Sequence, residues 1–195
     1  FPDVLVSLGG GGLRLFLNPG ESDGAFTDIT PRAGLDRAEA GAAGTGYFTL
    51  GDWNSDGLTD LYYASGPGLL LIQAKDGRFA PQPGAPKLRF LSGEDEKPGF
   101  TGAGAFSPIL GAGHTDLIVP VENGWHVIEN RAGHPVDVTE HGNEISEGSF
   151  LHIATVAADL NLDGHVDSYT VSRARNGHNR FIVNRGYGSF MLGDV

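Results

Sequence analysis

"GYFTLGDWNSDGLTDLYYASGPGLLLIQAKDGRFAPQP" (residues 46–83) spells out one complete structural unit. A short apolar run, "GYFTL" (46–50), leads into an acidic loop. A second run, "DLYYAS" (60–65), and a third, "LLLIQA" (69–74), follow, and after Asp76-Gly77 comes a short fourth, "GRFAPQP" (77–83). Runs of five or six aromatic and branched residues, separated by Gly, Asp and Pro, read as β-strands joined by tight turns. No stretch carries a convincing 3.6-residue period, so the expectation is an all-β chain.

The same unit recurs. "LRLFLN" (13–18), "WHVIEN" (125–130) and "RFIVNR" (180–185) match "LLLIQA", with Phe16, Ile72, Ile128 and Ile182 taken as equivalent at intervals of 56, 56 and 54 residues. Each is preceded by a second-strand run: "DVLVSL" (3–8), "DLIVPV" (116–121) or "DSYTVS" (167–172). Each is followed by a short run within "GAFTDIT", "HPVDVTE" or "GSFMLGD". "GAFSPIL" (104–110) and "FLHIATVAA" (150–158) supply further first strands. Four antiparallel strands in about fifty-five residues cannot bury both faces of their own sheet, so neighbouring units must stack; the radial solution is a β-propeller. The expected blade units are residues 1–30 (incomplete), 46–81, 103–139 and 150–192. The glycine-rich stretch 31–44 and the charged stretch 86–103 read as connecting loops.

A formal charge of −11 argues against nucleic acid or an anionic membrane as main partner. There is no Cys, hence no disulfide framework and no thiolate metal site. No apolar run approaches the roughly 18 residues that span a bilayer.

The acidic loop carries the chemistry. Asp52, Asn54, Asp56, Gly57 and Asp60 fit D-x-N-x-D-G-x-x-D, and Asp159, Asn161, Asp163, Gly164 and Asp167 repeat it at the same place in the last unit. Oxygens at positions one, three and five turn inward, and Gly at six permits the sharp turn. The backbone carbonyl at seven (Leu58, His165) joins, and Asp at nine closes the shell. An all-oxygen set selects a hard cation, and the flexible geometry favours Ca²⁺ over Mg²⁺. Two Ca²⁺ sites are expected, with Asp3 as the remnant of a partial third. An EF-hand would need Glu at position twelve, where Tyr63 and Thr170 stand. In the third unit Pro108, Leu110 and Ala112 occupy the first three ligand positions, so no tight Ca²⁺ is expected there.

Strand, D-x-N-x-D-G-x-x-D loop and strand at this period resemble the FG-GAP (VCBS) repeats that build the propellers of integrin α subunits and many secreted bacterial proteins. "DGAFTDITPRAGL" (23–35) also resembles the segment between blades in ASPIC/UnbV-type and cartilage acidic protein-type propellers. The resemblance implies a calcium-binding propeller, usually seven-bladed, that is secreted, extracellular or at a cell surface, with the periplasm as a variant. On that footing the chain is expected to be a segment of a larger ring, starting at Phe1-Pro2-Asp3 inside a metal loop.

Function follows by elimination and resemblance. The histidines show no metal-site spacing: His126 and His152 fall in expected strands. No nucleophile elbow is present, and "GGGG" (9–12) joins two strands rather than opening a helix. "SRARNGHNR" (172–180) reads as a solvated basic turn, and Trp53, Trp125, Tyr62 and Tyr63 as blade packing. The leading expectation is a non-enzymatic module for protein–protein interaction or adhesion. The alternatives are a carbohydrate-binding propeller, an accessory domain of a secreted polysaccharide-active enzyme, or a repeating subunit whose first blade a neighbour completes.

Overall fold

A computed structural model describes residues 1–8, 12–37, 46–64, 68–82, 91–92, 97–98, 102–111, 113–121, 124–139, 152–172, 179–186 and 189–193. Most of "GGGG" and of the basic turn at 172–180 lies outside these residues.

Four antiparallel sheets follow one another along the chain, each with its strands in sequential order. Blade 1 holds β1 (Val4–Ser7), β2 (Leu13–Leu17) and β3 (Thr27–Asp28). Blade 2 holds β4 (Tyr47–Gly51), β5 (Asp60–Ala64), β6 (Leu69–Gln73) and β7 (Phe79–Pro81). A two-stranded ribbon, β8 (Leu91–Ser92) with β9 (Lys97–Pro98), interrupts the stretch read as a loop. Strands of two residues are too short to leave a periodic signal. Blade 3 comprises β10 (Ala105–Ser107), β11 (Asp116–Val121), β12 (Gly124–Arg131) and β13 (His134–Asp137). Blade 4 comprises β14 (His152–Ala158), β15 (Asp167–Ser172), β16 (Arg180–Asn184) and β17 (Phe190–Gly193). The chain is all-β, built of propeller blades; the connector 31–44 contributes one 3₁₀ turn at Leu35–Arg37.

Strand register corrects one alignment. Val4 pairs with Phe16, Leu117 with Ile128 and Ser168 with Ile182, but their counterpart Leu61 pairs with Leu71. Leu71, not Ile72, is therefore the equivalent residue. In a run of four apolar residues, sequence alone leaves the inward and outward faces ambiguous.

Because paired residues share a face, each blade divides cleanly between its two neighbours. Leu61, Tyr63 and Leu71 face blade 1 and meet Leu13 there, together with Ala33 and Leu35 of the connector. Tyr62, Ala64 and Leu70 face blade 3 and meet Leu117, Val119 and Ile128. Ile118, Trp125 and Val127 turn the other way and meet Ile182 and Phe190 of blade 4. The core is thus three seams, and the middle strands β5 and β11 are buried along their whole length. Covered on both sides, they read as unbroken apolar runs rather than alternating ones.

Polar links cross the seams as well. The Gly12 N–H donates to the Tyr63 hydroxyl at 2.9 Å, tying blade 1 to blade 2. Ala103, ahead of β10, forms a parallel bridge to Ala154 in β14, with N–H···O distances of 2.9 and 3.0 Å. Truncation at a seam is therefore expensive and truncation at the surface is not. In urea denaturation Ile128→Ala is expected to cost about 2–5 kcal/mol, and Leu50→Ala, half exposed, no more than about 0.5 kcal/mol.

Candidate metal-binding loops

Each acidic loop is the turn between the first and second strands of its blade. Asp52 accepts the Asp56 N–H on Oδ1 at 3.0 Å and the Gly57 N–H on Oδ2 at 2.8 Å. Asn54 Oδ1 accepts the Asp56 N–H at 3.1 Å, and Asp56 Oδ1 accepts the Leu58 N–H at 2.8 Å. The loop at 159–167 reproduces the set: Asp159 accepts from Asp163 and Gly164, Asn161 from Asp163, and Asp163 from His165, at 2.9–3.1 Å. Positions one, three and five therefore turn onto the loop's own amides in both copies.

The backbone is equally alike. Position four is left-handed, at φ 59° in Ser55 and 62° in Leu162, and position six is Gly at 81° and 89°. A non-glycine residue in that region costs roughly 1–2 kcal/mol, so both loops hold a shape their fourth residue resists. The loop at 108–116 adopts the same two left-handed positions with Gly111 at 72° and Gly113 at 73°. It does so with Pro108 and Leu110 at positions one and three; Ala112 lies outside the described residues. The Asp, Asn and Asp at one, three and five are not what bends the chain.

Position nine has a different task. Asp60 is fully buried; its Oδ2 accepts the Trp53 N–H and its Oδ1 the Gln73 N–H, both at 2.8 Å. Asp116 does the same for Leu110 (2.9 Å) and Asn130 (3.1 Å), and Asp167 for Leu160 (3.0 Å) and Asn184 (2.9 Å). Asp3 keeps half of the arrangement, accepting the Asn18 N–H at 2.8 Å. This Asp clamps the loop entry to the third strand in blades 2, 3 and 4, ligands or no ligands. The signal was present in the sequence: Asp116 persists where the other ligand types are gone. About four acceptor sites belong to a carboxylate, so Asp60 and Asp167 retain capacity for a cation.

A second repeated device escaped sequence reading. Asn130 Nδ2 donates to the Trp53 carbonyl, and Asn184 Nδ2 to the Ile109 carbonyl, each at 2.6 Å and each from one blade to the one before it. Their Oδ1 atoms accept from Gly133 at 2.7 Å and Gly186 at 2.9 Å, closing the turn that follows. Asn18 ends the matching strand of blade 1 and accepts from Gly20 at 3.0 Å.

Burial pushes the Asp60 and Asp116 carboxyls above the ordinary range, and the amide hydrogen bonds pull against it. The exposed Asp163 moves the other way, lowered chiefly by the His165 N–H and then by Asn161. Among the described residues no three Asp, Glu or His side chains form a ready-made cage, and the ninth-position carboxylates lie on backbone amides. What the loops offer a cation is Asp, Asn and Asp at one, three and five, the carbonyl of Leu58 or His165, and the unused acceptor capacity at nine.

Among the described residues, His126 and His114 do not form a catalytic relay. His126 Nδ1 lies 2.6 Å from Asp137 Oδ2, and Thr139 Oγ1 lies 3.2 Å from that same nitrogen. A relay needs the acid and the nucleophile on opposite ring nitrogens. His114 Nδ1 lies 2.9 Å from Asp116 Oδ1 but is not aligned for a hydrogen bond.

The clamp makes two checkable statements. Asp116→Ala strands two amide donors and should lower stability by about 2–4 kcal/mol in urea melts. The Asp116 carboxyl, followed by carbon NMR, should titrate above the ordinary 3.8 of an aspartate. Between 3.8 and that raised midpoint the native state holds more protons than the unfolded chain. The contribution of Asp116 therefore falls as pH rises through that window. A midpoint at or below 3.8 would remove burial as the dominant influence.

Residues 1–63 match the family model described as FG-GAP-like repeat, a stretch that takes in blade 1, the connector and blade 2 through the 52–60 loop. No curated protein matches the chain. Residues 1–63 are thus similar to the FG-GAP-like repeat, and the antiparallel sheets of the described residues have the form of β-propeller blades.

Proposed function

We propose that the loops 52–60 and 159–167 each bind one Ca²⁺, and that the ion rigidifies the hairpin between the first two strands of blades 2 and 4. One comparison carries the reading: the 108–116 loop reaches the same left-handed backbone at positions four and six without acidic residues at one and three. The 52–60 and 159–167 loops nevertheless hold two carboxylates and an amide oxygen inward, in a bend that their fourth residue resists. Like charges gathered in one turn repel; a divalent cation reverses the sign of that interaction. Asp52, Asn54, Asp56 and the Leu58 carbonyl would hold the first ion, with Asp60 closing the shell. Asp159, Asn161, Asp163, the His165 carbonyl and Asp167 would hold the second. Asp3 is too incomplete to bind alone.

The wider role is a non-enzymatic, extracellular or cell-surface propeller that presents its loops to a protein partner. Oxygen ligands filling the shell leave no open catalytic position, and loops of this kind commonly bind at about 10⁻⁴–10⁻³ M, suited to calcium-rich surroundings. A glycan array separates this from the carbohydrate-binding alternative, which requires selective glycan retention.

Saturation at a hundredfold excess over Kd stabilises by about 2.7 kcal/mol per site, so two sites should raise the melting temperature on the order of 10 °C. EGTA should remove that increment. Asp56→Ala should abolish the part due to the first loop and leave the rest. A melting temperature indifferent to both Ca²⁺ and EGTA would end the proposal.

A further inference from the structure

Trp53 stands at position two of the first calcium loop, and its groups point to both sides of a seam. The N–H is held by Asp60 within its own loop at 2.8 Å. The carbonyl is held by Asn130 of the next blade at 2.6 Å. The fully buried indole packs into blade 3, its ring centroid 6.2 Å from that of Phe106. The same position elsewhere lacks this combination. Ile109 is buried in the next seam and held by Asn184, but its loop has no ligand set. Leu160 belongs to a ligand-bearing loop but is 47% exposed.

We infer that the 52–60 loop is a cation-controlled latch on the seam between blades 2 and 3, with Trp53 as the shared part. The inference rests on the calcium reading above. Ligation at Asp52 and Asn54 fixes the backbone of the residue between them. The Trp53 N–H, carbonyl and indole then take the positions that Asp60, Asn130 and Phe106 receive. Linkage makes the effect reciprocal: whatever the ion adds to the seam, the seam adds to the affinity for the ion. Asn130 must therefore strengthen calcium binding although its side chain meets the Trp53 carbonyl and the Gly133 N–H rather than the ion. The seam between blades 3 and 4 takes its second-position residue, Ile109, from a loop without ligands and meets the 159–167 loop at Val166, a non-ligand position, so Trp125 is expected to be insensitive to calcium.

The two tryptophans make the test direct. The full chain is labelled with 5-fluorotryptophan and titrated with Ca²⁺ to about 10 mM, beyond the weak range for such modules. It is followed by fluorine NMR and calorimetry in parallel, with resonances assigned by Trp125→Phe. The Trp53 resonance should move with calcium while Trp125 stays in place. Asn130→Ala should weaken the affinity read at Trp53 by at least about fivefold and leave binding at 159–167 unchanged. A Trp125 resonance near its native position certifies the fold of the variant. If that check fails, Phe106→Leu thins the seam from the blade 3 side without altering any loop residue or ligand, and the same loss of affinity is expected. Heat of binding with a silent Trp53, or unaltered affinity in the variant, overturns the latch and leaves the calcium sites standing. Neither heat nor shift overturns both.

Discussion

A buried carboxylate holds each of blades 2, 3 and 4 together. The Asp at the start of the second strand takes one amide proton from the loop before it and one from the third strand beside it, so three chain segments meet on two oxygens. Burying that charge is costly, as the raised carboxyls of Asp60 and Asp116 record, and the cost is offset only while both donors are present. The interaction therefore constrains everything around it. The loop must return to the same point, the third strand must end at the same height, and the next blade meets a surface of fixed shape.

That surface is where most of the apolar core lies. Strand residues alternate between the blade before and the blade after, so neither face of blade 2 or blade 3 is left to solvent. The seams also carry directional contacts. A third-strand Asn reaches back to the carbonyl at the second loop position, joining the polar rim of one blade to the loop of its predecessor. Loop and seam are consequently one mechanical unit. An ion that stiffens the first can stiffen the second only where ligands and a covering blade coincide.

Much of this was legible in the residues. "DLYYAS", "DLIVPV" and "DSYTVS" contain their strands to within a residue; the first two are doubly covered and advertise themselves as apolar runs between turn residues. The same feature hid the register of "LLLIQA", where consecutive apolar residues gave no means of telling Leu71 from Ile72. Loop chemistry was visible as residue types at fixed spacing, whereas the partners of those side chains were not. The ninth-position Asp read as a closing ligand, and its amide partners lie as many as 17 residues away. The inter-blade Asn was also in view, since "LRLFLN", "WHVIEN" and "RFIVN" all end on it. Its meaning required the neighbouring blade, 75 or 77 residues distant in sequence.

Two roles merged in one motif thus separate: a carboxylate at position nine shared by blades 2, 3 and 4, and an oxygen set at one, three and five present in the loops 52–60 and 159–167. Counting ions decides whether the separation is right. Native mass spectrometry of the chain in millimolar calcium should show two bound Ca²⁺, falling to one in Asp56→Ala and remaining two in Asp116→Asn. A count of none, or a third ion lost on changing Asp116, would contradict it.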